Sequence, residues 1–205
     1  NRWARLQRPS YRLARREEGS ALDGPPQTCA EGLRVQAAAE AIVALIEQAY
    51  RGPQAAGAWT SEAHLLTGPR TSNAEVDDII ARTDSCFLLA EIDGKLAGCC
   101  LLQGLSPEKD HSVNAAYFGM FAIDPNTHGS GLGKLVIAEA ERRVQERWSA
   151  NQMVMTVINV RTALIAWYER RGYHLTGATI PFPFTENSGE TTRDFHLSEM
   201  RKTLA

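Results

Sequence analysis

Residues 123–134 read Ile-Asp-Pro-Asn-Thr-His-Gly-Ser-Gly-Leu-Gly-Lys and join an apolar run to a helical pattern. Glycine lets the backbone come close to a ligand and adopt positive φ. Free N–H groups at a helix start point at an anion, and the helix dipole favours negative charge there. The turn therefore suits a phosphate or pyrophosphate, with Lys134 able to add a charge. Taken by itself, the segment also reads as a tight strand–helix turn without a ligand. Two nucleotide fingerprints fail. A Walker A loop needs Gly-Lys-Ser/Thr and a glycine five positions before its Gly-Lys glycine, but Leu135 follows Lys134 and position 128 is His. A dinucleotide fold needs GxGxxG and an acid ending the next strand, but that strand ends in Asn159.

Two motifs in order carry a resemblance. Ile123-Asp124-Pro125 followed by His128-Gly129-Ser130-Gly131-Leu132-Gly133 is similar to the acetyl-CoA motif of the GNAT superfamily of N-acetyltransferases, V/I-x-P then Q/R-x-x-G-x-G/A. Residues 166–173, Ala-Trp-Tyr-Glu-Arg-Arg-Gly-Tyr, resemble its LYxxxGF element. The resemblance covers about four-fifths of the chain, from Leu33 to Met200. It departs at two places. His128 stands where Gln or Arg is usual, and its charge depends on pH. Arg161 stands where an Asn often holds the pantetheine arm, with Asn159 as the nearby substitute.

The resemblance implies acetyl transfer from acetyl-CoA to a primary amine of a small molecule or peptide, by direct attack on the thioester. It implies that the strand before the glycine turn splays from its neighbour. Backbone groups of Met120, Phe121, Ala122 and Ile123 would then hold the acetyl and pantetheine amides, and His128, Gly129, Ser130, Gly131, Leu132, Gly133 and Lys134 the pyrophosphate. Asn159 is a further contact to the donor. Tyr168 is the implied general acid, since a phenol of pKa near 10 matches a departing thiolate. Spacing by itself reads Tyr168 as core, four residues after Leu164 on an amphipathic helix. No base is evident. Tyr117 occupies the position of the Glu that often serves, and His111, His196, Asp194 and Glu199 are substitutes. A lysine-like amine is only about one part in 10³ neutral at pH 7, so water-mediated proton loss is an alternative. Trp59 and Tyr117 are the expected acceptor contacts, and the resemblance places the segment from Thr60 to Ser72 on the acceptor side. A non-catalytic acyl-CoA-binding or sensing module on the same fold is the competing reading.

Several elements must position these residues. Residues 32–36 read as a short strand and 37–50 as a helix with Ile42, Leu45, Ile46 and Ala49 on one face. Ser72 and Glu75 form a capping box for a helix through Val76, Ile79 and Ile80. Asp93-Gly94 predicts a hairpin between strands 86–92 and 95–102, and 115–123 is a third apolar strand. The pattern then alternates: helix 131–148, strand 152–158, helix 162–171, strand 173–180, and a last strand at 195–200. Antiparallel strands first and alternation later predict an α/β (α+β mixed) fold. The expected architecture is a central mixed, mostly antiparallel sheet with helices on both faces, GNAT-like.

Composition agrees. In 205 residues, 43% hydrophobic, one domain can bury a real core. We expect residues 31–205 to form it. Residues 1–30 read as a basic tail and linker. Arg2, Arg5, Arg8, Arg12, Arg15 and Arg16 occur there without an acid before Glu17, and an organelle-targeting segment is the alternative. A net charge of −2 gives no case for nucleic acid or an anionic membrane. Cys29, Cys86, Cys99 and Cys100 form no CxxC, and the five histidines no HExxH, so no metal site is expected. A reducing, cytoplasmic setting fits, and a homodimer is compatible.

Overall fold

The computed structural model describes residues 11–14, 29–52, 62, 64–66, 68–105, 114–127, 129–184 and 194–205, with backbone alone for 11–14 and 29–37. Its elements are β1 (Tyr11–Ala14), α1 (Cys29–Arg51), α2 (Asn73–Ala81), β2 (Ser85–Ile92), β3 (Lys95–Gly104) and β4 (Ala115–Ile123). Then follow α3 (Leu132–Trp148), β5 (Gln152–Ile158), α4 (Thr162–Glu169), β6 (His174–Pro181) and β7 (His196–Thr203). One sheet runs β1-β2-β3-β4-β5-β7-β6. Among the described residues only β4 and β5 pair in parallel.

Both sheet faces are covered. Ile42 and Ile46 of α1 and Val76 and Ile79 of α2 pack on Phe87, Cys99, Leu101 and Ala122. Val136, Ile137 and Ala140 of α3 and Leu164 and Tyr168 of α4 share the other core with Cys100, Phe118, Phe121 and Met155. Adjacent Cys99 and Cys100 thus face opposite cores, as strand alternation requires. No described helix is long and apolar enough to cross a membrane.

Local chemistry sets the turns. Asp93 and Gly94 adopt φ 51° and 76°, two successive positive values that match the twist of the β2–β3 hairpin. Ser72 caps α2, its Oγ accepting the Glu75 N–H at 3.2 Å. The predicted capping box is half made, because the Glu75 carboxylate accepts the Thr71 hydroxyl instead at 2.7 Å.

The predicted strand at 32–36 is corrected. These residues are helical and continuous with α1. Extending a formed helix is cheaper than starting a new element, and the alanines at 37–39 leave no break between the two. Two elements also reach into the segment read as tail and linker. Residues 11–14 pair antiparallel with 89–92 of β2, and α1 begins at Cys29.

Candidate active site

The β4–β5 ladder holds only three pairs, from Ala115–Gln152 to Tyr117–Val154. Beyond them β4 continues to Ile123 and β5 to Ile158 without pairing to each other. The two strands therefore splay, and β4 backbone faces the gap. Tyr117 Oη lies 3.3 Å from Thr156 Oγ1 across its narrow end. Gly119 makes room for this: a Cβ there would stand 2.6 Å from Tyr117 Cε1.

A bulge re-aims β4 on the other side. Cys99 pairs with Ala122 but Leu101 with Gly119, so Met120 and Phe121 together oppose Cys100. Met120 has φ 45°, a left-handed conformation uncommon for a side-chain residue. The distortion is held from beneath. Tyr50 Oη donates to the Phe121 carbonyl at 2.8 Å, and the Cys99 thiol approaches the Met120 carbonyl at 3.8 Å. These contacts engage both carbonyls of the bulge.

The glycine turn follows directly. Gly129 and Gly131 have φ 81° and 85°, and a Cβ on either would meet nothing within 4 Å. These glycines serve the backbone conformation, and the space beside them is open to an anion. The Leu132 N–H is taken by Ser130 Oγ at 3.2 Å and the Lys134 N–H by the Gly131 carbonyl at 3.0 Å. Among the described residues the Gly133 N–H has no acceptor, as expected at the mouth of a helix. Lys134 is exposed. Gly133 lies 3.5 Å, by its built Cβ, from both Phe121 and Trp167. The glycine turn, the bulge and α4 thus form one unit. His128, Trp59 and His111 lie outside the described residues.

Tyr168 is 5% exposed. Its ring packs edge-on against Trp167 and Tyr173, at 5.1 and 5.8 Å between centroids. Burial, and then neighbouring Tyr50, hold its hydroxyl well above the usual phenol range. Asn159 ties β5 to β7: its N–H donates to the His196 carbonyl and its Oδ1 accepts the His196 N–H, both at 2.9 Å. Glu199 pairs with Arg201 at 3.2 Å. Neither His196, Asp194 nor Glu199 lines the splay.

A cleft of about 710 Å³ opens where β4 and β5 part, lined by Tyr117, Gly119, Met120, Phe121, Thr156 and Leu197 among others. Sequence reasoning placed the segment from Thr60 to Ser72 on this side but did not single out its charged residues. Glu62 is buried and receives Arg161 Nη1 at 2.6 Å on one oxygen and Arg51 Nη1 at 3.2 Å on the other. The Arg70 guanidinium lies 5.4 Å from the centre of the Tyr50 ring. Burial works against its charge, but Tyr50, Glu62, Tyr117 and Glu75 outweigh that and raise its pKa. Burial also pushes the Tyr50 phenol up to about 12, so Tyr50 remains a donor to Phe121. No local signal marks these residues, since Glu62 and Arg161 are 99 positions apart.

A splayed parallel pair feeding a glycine turn at a helix start is the centre of this mixed-sheet fold. The chain belongs to the acetyltransferase (GNAT) family, whose model matches residues 40–173. A search of curated protein sequences gives no match. Among solved structures, smu.2055 of Streptococcus mutans is similar at 16% identity, over 83% of this chain and 96% of that one, with a TM-score of 0.60. A spermidine N-acetyltransferase chimera from Vibrio cholerae and hSSAT is similar at 16% identity, over 97% and 96%, with a TM-score of 0.59. A Bacillus anthracis protein solved in complex with acetyl coenzyme A matches at 16% identity, over 63% and 68%, with a TM-score of 0.50. At these identities the likeness establishes the fold.

Proposed function

We propose that this protein transfers acetyl from acetyl-CoA to a primary amine of a small molecule or peptide. The observation that carries this is the juxtaposition of the glycine turn, the bulge at Met120–Phe121 and the cleft at the β4–β5 splay. A donor whose phosphates rest on residues 128–134 can lay its arm along β4 and bring its thioester to the cleft. Acetyl-CoA supplies the activated acyl carbon. The chain's residues bind and orient it, and β4 N–H groups stabilise the oxyanion as the amine attacks. The C–N bond forms, the C–S bond breaks, the thiolate takes one proton and the amine loses one.

Tyr168 is the proton donor in this reading. Burial keeps its phenol protonated, and a thiolate released into the same dry surroundings gains basicity for the same reason. The amine proton leaves through water, because the buried carboxylate of the cleft, Glu62, is already held by two guanidiniums. That commitment also favours a second reading, an acyl-CoA-binding module without turnover. Calorimetry with acetyl-CoA and a thiol-release screen over a panel of amines test both. Binding with turnover supports the transferase, binding without turnover the module, and no binding removes both.

A further inference from the structure

The acceptor wall of the cleft carries a guanidinium without an ion-pair partner among the described residues. The charged groups lining the cleft are Arg51, Arg70 and Arg161 against Glu62 and Glu75. Glu62 is shared between Arg51 and Arg161. Glu75 accepts the Thr71 hydroxyl and sits in the first turn of α2, where the helix start favours its charge. Arg70 is left over. Among the described residues no carboxylate lies within ion-pair distance of its guanidinium.

Its backbone is nevertheless held in place. One carboxylate oxygen of Glu47 accepts the N–H of Arg70 at 2.5 Å and of Thr71 at 3.0 Å, and Arg51 Nε donates to the Gly68 carbonyl at 2.8 Å. The side chain then lies beside the Tyr50 ring, the residue whose hydroxyl anchors the bulge. An aromatic neighbour supports the guanidinium without consuming its N–H donors. Arg70 also lines an adjoining recess of about 640 Å³ together with Glu75, Asp78, Arg82, Tyr117 and Met120, so it borders both spaces.

We infer that Arg70 binds a carboxylate of the acceptor, so that the substrate is an amine that also carries a carboxylate, an amino acid or a short peptide. The inference rests on the transferase reading above. A guanidinium fork matches a carboxylate with two parallel hydrogen bonds, which would turn the amine toward the bulge. Among the described lining residues three guanidiniums face two carboxylates, a balance that suits a monoanion better than a phosphate dianion, which Glu75 would oppose.

The test is a thiol-release assay with acetyl-CoA and a panel of L-amino acids and dipeptides, each beside its carboxamide, with cadaverine and O-phosphoethanolamine added. The carboxylates should exceed their carboxamides in kcat/KM by at least about tenfold, equivalent to about 1.4 kcal/mol. Arg70→Met should remove that preference through the KM of the carboxylates, and Arg70→Lys should restore part of it. The unsubstituted protein's own ratio of carboxylate to carboxamide decides the matter even if Arg70→Met does not fold. Equal use of carboxamides, preference for cadaverine or O-phosphoethanolamine, or turnover of no carboxylated amine would overturn the inference. If acetyl-CoA still binds in those cases, the donor site stands and only the acceptor assignment falls. Failure of acetyl-CoA to bind removes the transferase reading itself.

Discussion

The phenol of Tyr50, at the end of α1, donates to the carbonyl of Phe121, 71 residues later, at 2.8 Å. That bond ties the first helix to the one irregular point of β4. It fills the acceptor of a buried carbonyl and stabilises the bulge against relaxation into a regular ladder.

Tyr50→Phe keeps the ring and removes the bond. A buried carbonyl without its donor costs about 1–3 kcal/mol. Urea unfolding should show a loss in that range, and kcat should fall more than acetyl-CoA affinity. A variant as stable and as active as the parent would mean that the bulge holds itself.

Gly131 has φ 85° with open space around it. Gly131→Ala therefore measures backbone strain alone, about 1–2 kcal/mol of stability. Gly131→Asp adds a negative charge where an anion is expected. Calorimetry should find CoA affinity lowered well over tenfold by Gly131→Asp, beyond about 1.4 kcal/mol, and lowered less by Gly131→Ala. Equal affinities for the folded Asp variant and the parent would move the phosphate site elsewhere.

Tyr168→Phe should act on the chemical step. General acid catalysis contributes about 10² to 10⁴ in rate, so kcat should drop within or near that range. Acetyl-CoA Kd should change less than about threefold, since the ring and its packing on Trp167 and Tyr173 remain. An acyl donor whose leaving group needs no proton should show a smaller loss. Turnover at the parental rate, with chemistry shown to limit it, would make this tyrosine structural.

On α3, hydrogen bonds from Arg142 first, and then from Arg143, lower the Glu139 carboxyl to about 2 from its ordinary value of 4.5. Its folded value is below its unfolded one. Its stabilising share is therefore complete above about pH 4.5 and is lost as pH falls toward 2. Both pairs lie on a partly exposed helix surface, which limits the share to less than about 1 kcal/mol. The urea midpoint of the parent should exceed that of Glu139→Gln near pH 6, and the two should converge near pH 2. A gap that persists at low pH would place the effect in packing.

β1 lies at the far edge of the sheet beside β2, with β3 between that hairpin strand and β4. We therefore expect a chain beginning at Cys29 to keep the acetyl-CoA affinity of the full one. Loss of affinity in the folded truncation would show that residues before α1 reach the site.

The sequence by itself determined the parts that depend on backbone torsion. Asp93-Gly94 demanded a hairpin, Ser72 a helix start, and Gly129 and Gly131 a left-handed turn. Few residue types meet each demand, so each could be read locally. The alternating pattern at 32–36 misled because a strand and the front of a helix differ there only by what continues past Ala37. The acceptor end was decided by the tertiary structure. Arg161 meets Glu62 across 99 residues and Tyr50 meets Phe121 across 71. Asn159 closes on His196, and Gly119 yields its space to the Tyr117 ring. Such pairings follow from sheet register and from which helix face lands on which core. An isolated arginine or glutamate carries no mark of the partner that burial will give it.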